Sequence, residues 1–322
     1  MTTAPVNIGL IGLGPFWDNQ YRAALAKLSQ RLKVVAVYDN VRSRAEQAAR
    51  ETQSHVVGGI TNLISRPDVH ALLWLDAGWQ GSAVISMLLE RRKPVLMGAK
   101  SDLSPSALQA AHQQTTAHGQ TFVPAFLKRV APASIRLQEL LATQLGRPQC
   151  IEINISPASL TAVPFATSAD FGGTEPPSQD PLLEWVDWVQ YLFRTAPQQV
   201  TSEDNGQTLW LEFAPANAAG ETTTQSANLR NAKLSLRATP PIPDQPTCDE
   251  VRLQCENGIA RLMGSSLIEW TCGDDSNLET LTTERTETEV LLDLFCRRVV
   301  GGLVPVPDLG DLIRATQIVD RV

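Results

Sequence analysis

Through the first 127 residues short apolar runs alternate with amphipathic stretches, a pattern that predicts a parallel sheet covered by helices on both faces. The runs Asn7–Ile11, Val34–Tyr38, Ala71–Leu75, Pro94–Met97 and Phe122–Leu127 read as strands. Between them Trp17–Gln30, Ser43–Glu51, Gly81–Arg92 and Ser104–His118 read as helices. Ser104 followed by Pro105 is an N-cap with proline at the first helical position, where no backbone donor is missed.

Beyond Pro132 the pattern changes class. A helix to about Leu145 leads into the alternating run Cys150–Ser156, and strands then follow at Thr208–Phe213, Ala227–Arg237, Glu250–Cys255, Ile259–Met263 and Ser266–Thr271. Turn residues such as Glu256-Asn257-Gly258 separate them, which suits an open antiparallel sheet. A loop at Phe171–Gln179, a helix over Asp180–Arg194 and a proline-rich connector at Pro240–Pro246 interrupt the strands. Two helices, Glu287–Val300 and Leu309–Val322, close the chain, the second after the Pro305–Pro307 stop signal. The expected architecture is therefore an α/β Rossmann domain over 1–127, followed by an α+β domain over 128–322 with an open, mainly antiparallel sheet. At 322 residues the chain exceeds what one core usually organises, so two domains are also the expectation from length.

Charge and cysteine content narrow the class. A formal charge of −7 with scattered basic residues lacks the concentrated positive face that nucleic-acid binding needs. The five cysteines are odd in number, show no C-x-x-C spacing and lie far from any histidine that would complete a zinc site, so neither a disulfide framework nor a metal is expected. The apolar run Val6–Leu13 is too short and too glycine-rich for a signal peptide or membrane span. The chain reads as a soluble cytoplasmic protein.

Chemistry enters at the end of the first strand. The run Asn7-Ile8-Gly9-Leu10-Ile11-Gly12-Leu13-Gly14 places G-x-G directly before a helix. Gly12 permits the tight turn, Gly14 lets the backbone approach a pyrophosphate, and the helix N-terminus offers oriented N–H groups to its negative charge. Trp17 stands where a third glycine would be, so the strand and helix must pack more loosely or with an offset. Leu13, Phe16 and Trp17 join the two glycines as candidate cofactor contacts. Asp39 ends the second strand about where a carboxylate bonds the adenosine ribose hydroxyls, favouring NAD over NADP. Arg42 or Arg44 would compensate a 2′-phosphate, and Arg44 is counted with the cofactor residues. The alternative for Asp39 is a cap of the helix that follows.

With these residues in place, the chain resembles the glucose-fructose oxidoreductase / inositol dehydrogenase / MocA-like (Gfo/Idh/MocA) family across almost its whole length. Gly12-Leu13-Gly14, Val35-Ala36-Val37-Tyr38-Asp39, Lys93-Pro94-Val95-Leu96-Met97 and Arg129-Val130-Ala131-Pro132 carry the resemblance. It implies hydride transfer between NAD and a sugar-like or polyol hydroxyl, with sheets that pair into a homo-oligomer. Three departures accompany it. Where the family has Glu-Lys-Pro, this chain reads Gly98-Ala99-Lys100, so either Lys100 takes the lysine's role from one place later or the role is vacant. The family's D-x-x-x-H-x-x-D helix start reads Asp180-Pro181-Leu182-Leu183-Glu184-Trp185-Val186-Asp187, and all four histidines lie in the first half, so no imidazole is available there. After the Ala71–Leu75 strand, where Thr-Pro is expected, Asp76-Ala77-Gly78-Trp79 appears. Asp76 and Trp79 would border the cofactor, Trp79 by stacking or simply by plugging the cleft, and a carboxylate at 76 would disfavour a pyrophosphate.

On a helix Asp180, Glu184 and Asp187 share one face, with Trp185, Trp188, Val189 and Leu192 turned the other way. Two readings remain. In one, Lys100, Glu184 and Asp187 form the acid/base set, with Arg129 and Asp180 toward the substrate. In the other, the carboxylates are a solvated face stabilised by the helix dipole, and the chain is a catalytically degenerate member that binds a dinucleotide or nothing and acts as a sensor or assembly partner.

Overall fold

The computed structural model describes residues 4–76, 81–98, 103–156, 180–204, 207–214, 230–236 and 248–321. Two compact units account for them, one built from 4–127 with 285–313, the other from 128–156, 180–284 and 314–321 within those limits. The change of unit at 127/128 coincides with the change of pattern in the sequence. The segment 285–313 instead groups with the first unit, so the second is not the continuous stretch 128–322 that the pattern suggested.

The first unit holds a six-stranded parallel sheet in the order β3-β2-β1-β4-β5-β6. Its strands are β1 (Val6–Ile11), β2 (Leu32–Tyr38), β3 (His55–Val56), β4 (Ala71–Trp74), β5 (Val95–Met97) and β6 (Phe122–Pro124). β1 lies between β2 and β4, with Ile11 opposite Tyr38 on one side and Trp74 on the other. Every residue of β4 and β5 is buried, as a strand covered on both faces requires. The last strand is shorter than the expected Phe122–Leu127, because Pro124 brings no donor to the ladder and the chain then tightens into a 3₁₀ turn at Leu127–Val130.

Helices α1 (Arg22–Lys27), α2 (Arg42–Thr52), α3 (Ile60–Ile64), α4 (Gly81–Glu90) and α5 (Pro105–His118) connect these strands. Ser104 caps α5 as expected, its hydroxyl accepting the Ala107 amide at 3.2 Å. The expected Trp17–Gln30 helix opens instead with a π-helical turn at Trp17–Tyr21 before α1. That wider turn is the offset that a missing third glycine demands: it takes in the Trp17 ring, which is 4% exposed.

The second unit carries an eight-stranded sheet in the order β14-β13-β12-β11-β7-β10-β9-β8. The strands are β7 (Pro148–Ile155), β8 (Gln199–Glu203), β9 (Thr208–Phe213), β10 (Arg230–Leu236), β11 (Glu250–Cys255), β12 (Gly258–Met263), β13 (Leu267–Cys272) and β14 (Asp275–Thr280). All pairings are antiparallel except β7 with β10. Ile151, Ile153, Ile155, Leu234, Val251, Leu253 and Leu262 fill one face at period two. Helices α6 (Pro132–Leu140) and α7 (Asp180–Phe193) belong to the same unit, α7 packing on β7 and joined to α6 by the Trp188 indole N–H, which donates to the Ser134 hydroxyl at 2.9 Å. β8 and β14 escaped the pattern because they are edge strands with almost every residue half or fully exposed, so they show no alternation.

Helix α8 (Glu287–Val299) begins at Thr286, whose hydroxyl accepts the Glu289 amide at 3.2 Å, and α9 (Leu309–Val319) follows. α8 is tied to the first unit by buried carboxylates. Glu289 meets Lys27 at 2.8 Å, while Asp293, 4% exposed, receives Arg31, Arg297 at 2.8 Å and Arg285 at 3.7 Å. The arginines are each about half exposed and rehydrate when the carboxylate is removed. Asp293→Ala is therefore expected to cost about 1–2 kcal/mol, read as a lower urea midpoint. An unchanged midpoint would show that this cluster does not hold α8 in place.

Candidate functional site

The G-x-G turn leaves β1 with Gly12 at φ +74°, a conformation L side chains rarely adopt. Its amide donates to the Tyr38 carbonyl at 3.0 Å, and the Leu13 amide donates to Asp39 Oδ2 at 2.7 Å. The other carboxylate oxygen of Asp39 accepts the Val41 amide at 2.7 Å. Asp39 thus does not cap α2, whose N-cap position is Val41 without a side-chain bond. It grips the glycine turn of the neighbouring strand, and its half-exposed carboxylate keeps lone pairs for a ribose diol.

The remaining amides define what a diphosphate would meet. Trp17 N–H is taken by the Gly14 carbonyl at 3.0 Å and Pro15 has no N–H. Among the described residues, Gly14 and Phe16 keep amides for an anion. Arg42 pairs with Glu46 at 2.9 Å, whereas Arg44 is exposed on the first turn of α2. The residues fit a dinucleotide at the turn and at the adenosine end.

At Gly14 the fit is contested by a residue that follows β4. A β-carbon on Gly12 would stand 2.1 Å from the Asp76 carbonyl oxygen, and one on Gly14 would stand 2.5 Å from Asp76 Oδ2. Gly12 is therefore required by the main chain of residue 76, whereas the obstacle at Gly14 is the movable end of its side chain. Trp79 and Lys100 lie outside the described residues, as does the side chain of Asp180.

In the second unit α7 departs from the expected amphipathic helix. Trp185, Val186, Trp188, Val189 and Leu192 are all buried, but so is Asp187, at 1% exposure, and Glu184 is half-buried. The solvated acidic face is not what forms. Arg129 donates to both oxygens of Asp187, Nε to Oδ2 at 2.8 Å and Nη2 to Oδ1 at 2.6 Å, and its guanidinium lies 4.5 Å from the Tyr191 ring centre. A bidentate pair of this kind fixes the orientation of both side chains.

Lys128 repeats the arrangement one residue earlier. Its Nζ meets Asp249 Oδ2 at 3.1 Å and stands 3.8 Å from the Trp185 ring centre, while Asp249 Oδ1 accepts the Ser156 amide at 2.9 Å. Lys128, Asp249 and Tyr191 were not singled out from the sequence. Only the adjacency of Lys128 to Arg129 hinted at them, since Asp249 lies more than a hundred residues away and meets Lys128 only through the fold.

Other features carry less chemistry. A cavity of about 550 Å³ sits at the N-terminal end of β6, between α5 and the segment 303–308, lined among others by His112, Thr115, Gln120, Arg298 and Val306. It contains none of the residues predicted for the site and lies at the other end of the strands from the glycine turn. The five cysteines are free thiols, and burial pushes Cys255 up to about 12, which keeps it protonated and inert. No group of three or more potential metal ligands occurs among the described residues, and no helix there is long and apolar enough to cross a membrane.

Residues 6–98 match the model of the GFO_IDH_MocA oxidoreductase family, described as an NAD-binding Rossmann fold. Over 202 residues the chain is 28% identical to inositol 2-dehydrogenase of Acidothermus cellulolyticus, a match covering 62% of this chain and 57% of that protein. The chain thus spans little more than half the length of that curated relative. Among solved structures, UDP-N-acetylglucosamine 3-dehydrogenase from Acidithiobacillus ferrooxidans is similar with TM-score 0.73 at 16% identity, over 98% of this chain and 96% of that one. A transcriptional regulator from Kluyveromyces lactis is similar with TM-score 0.72 at 14% identity, over 100% and 92%. These structural likenesses establish the fold of both units.

The buried pair in the second unit yields a direct test. Arg129→Ala removes two charged donors from a buried carboxylate and is expected to destabilise the protein by about 3–5 kcal/mol in urea unfolding. Arg129→Lys should recover only part of this, for lack of a second parallel bond. Arg129→Met combined with Asp187→Leu should recover most of it. Equal losses for the single and double variants would show that the two side chains act independently.

Proposed function

We infer that this chain is a member of the Gfo/Idh/MocA oxidoreductase family, whose model matches residues 6–98, and that it moves a hydride between NAD and a hydroxyl-bearing carbon of a sugar-like or polyol substrate. The observation that carries the reading is the Asp39 carboxylate closing on the Leu13 amide at 2.7 Å, which ties the end of β2 to the glycine turn. Bound NAD supplies the two-electron acceptor or donor.

The chain's own residues divide the remaining work. Asp39 takes the adenosine ribose hydroxyls and disfavours a 2′-phosphate, and the amides of Gly14 and Phe16 take the diphosphate. Glu184, half-buried on the first turns of α7, accepts the substrate hydroxyl proton as the carbon is oxidised. Asp187 serves as a positioning residue: its paired oxygens fix Arg129, and Arg129 and Asp180 orient neighbouring hydroxyls. Lys100 polarises the reacting hydroxyl in the place of the family's lysine. A homo-oligomer in the cytoplasm completes the reading.

A second reading is favoured by one observation, the Asp76 carboxylate standing 2.5 Å from where a β-carbon on Gly14 would lie, close to where a diphosphate is expected. In that reading the chain is a catalytically degenerate member that works as a sensor or assembly partner. Absorbance at the NADH band separates the two, with protein and NAD mixed against a panel of inositols, polyols and sugars. Turnover is expected with at least one panel member, and Glu184→Gln should lower kcat by about 10²–10⁴-fold with little change in KM. Absence of turnover throughout the panel would favour the non-catalytic reading, and full activity of Glu184→Gln would remove that residue from proton transfer.

A further inference from the structure

We propose that the cavity at the N-terminal end of β6 is a second ligand site, which takes a free α-amino acid with an apolar side chain. It lies within the first unit, at the other end of the strands from the glycine turn, so the inference does not rest on the dinucleotide reading.

Its volume of about 550 Å³ is that of a small-molecule pocket. One wall is the last turns of α5 and the residues after it, and the other is the segment 303–308 between α8 and α9. Pro305 and Pro307 have no N–H and push the valines before them toward extended backbone, so this segment joins neither a helix nor a strand. Among the described residues the Val304 and Val306 amides form no backbone hydrogen bond. Both valines are half-buried and line the cavity together with Phe122, which supplies an apolar wall.

Polar groups with bonding capacity to spare are set into this lining. Gln120 Nε2 donates to the carbonyls of Leu88 at 3.3 Å and Lys93 at 2.8 Å. Two carbonyl acceptors identify the amino end of the amide, and Oε1 is left buried without a hydrogen-bond partner. A donor seated in the cavity is what that oxygen lacks. Asp308 caps α9 through Oδ1, which accepts the Asp311 amide at 3.0 Å, so its Oδ2 stays available. Arg298, on the last turn of α8, forms no ion pair among the described residues, whereas its neighbour Arg297 holds Asp293. Arg298 and Asp308 are the full charges of the lining, one of each sign, and His112 is its other titratable side chain.

An α-amino acid answers these groups together. Its carboxylate meets Arg298 and the free amides of 303–308, its ammonium brings donors to Gln120 Oε1 and Asp308, and its side chain lies against Phe122, Val304 and Val306. An anion alone leaves Gln120 and Asp308 unanswered, and a cation alone leaves Arg298 unanswered. Three separate attachments also make the site selective for one enantiomer.

Titration calorimetry on the full chain without nucleotide tests this with L-leucine, D-leucine, 4-methylpentanoate, which lacks the amino group, and 3-methylbutylamine, which lacks the carboxylate. L-leucine is expected to bind with a Kd of about 1 mM or tighter, and each of the others at least about tenfold more weakly. Arg298→Ala, at an exposed position, should weaken L-leucine about tenfold with an unchanged urea midpoint, and Arg298→Lys should restore part of the affinity. Val306→Trp, which fills the cavity from the segment 303–308, should abolish binding.

The proposal is overturned if L-leucine fails to bind at about 10 mM, or if the acid or the amine binds as tightly, which would mark a site for a single charge. Equal affinity for D-leucine would remove the three attachments. Wild-type affinity in Arg298→Ala or in Val306→Trp would place the amino acid elsewhere on the protein and overturn the assignment as well.

Discussion

Where β1 ends, the backbone passes so close to residue 76 that a β-carbon on Gly12 would stand 2.1 Å from the Asp76 carbonyl oxygen. That approach, with the positive φ of Gly12, decides how the chain leaves the sheet. The Gly12 amide is then delivered to the Tyr38 carbonyl and the Leu13 amide to Asp39, so β4 and β2 both register against the same three residues. The first turn of the next helix inherits the geometry. With Trp17 buried where a small residue would pack, it widens into a π turn rather than closing directly on the strand.

The second unit depends on a different constraint, the placement of formal charge inside an apolar layer. Helix α7 is buried on nearly every side, yet carries Asp187 at 1% exposure. Such a carboxylate persists only when its partner arrives with matching geometry, and Arg129 does so with two parallel bonds. Lys128 and Asp249 solve the same problem beside it, with the Trp185 ring as a third wall. Two adjacent residues of one 3₁₀ turn therefore anchor α7 and the residue preceding β11. Because both cations are engaged by carboxylates, the cluster adds orientation to the unit without adding net charge.

The degree to which this was legible in the sequence varies with the range of the interaction. Strands buried on both faces, such as Ala71–Trp74, and helices with their own start signals, such as the one begun by Ser104, declare themselves locally. So does the turn at Gly12, because a glycine pattern after an apolar run has few other causes. Gln199–Glu203 and Asp275–Thr280 were missed for the opposite reason: edge strands bury neither face, so no periodicity marks them. The α7 carboxylates fell between. Their spacing placed them on one face, but whether that face meets water or a guanidinium is decided by Arg129, 58 residues upstream of Asp187. The attachment of 285–313 to the first unit was invisible for the same reason, since Asp293 finds Arg31 across 262 positions.

The glycine pair at the end of β1 illustrates how one motif sustains two physical explanations. A glycine is required wherever a side chain would strike something, and a sequence does not say whether that something is a ligand's diphosphate or the protein itself. At Gly12 the obstacle is main chain, as a tight turn demands in any member of the fold. At Gly14 it is the Asp76 carboxylate, the movable end of a side chain, so the second glycine is only partly accounted for without a nucleotide. The case for a dinucleotide therefore shifts from the glycines to Asp39, whose bonds to Leu13 and Val41 position its carboxylate at the end of β2 and leave it half-exposed. A carboxylate held that way is suited to hydroxyl donors, the groups that a ribose would bring.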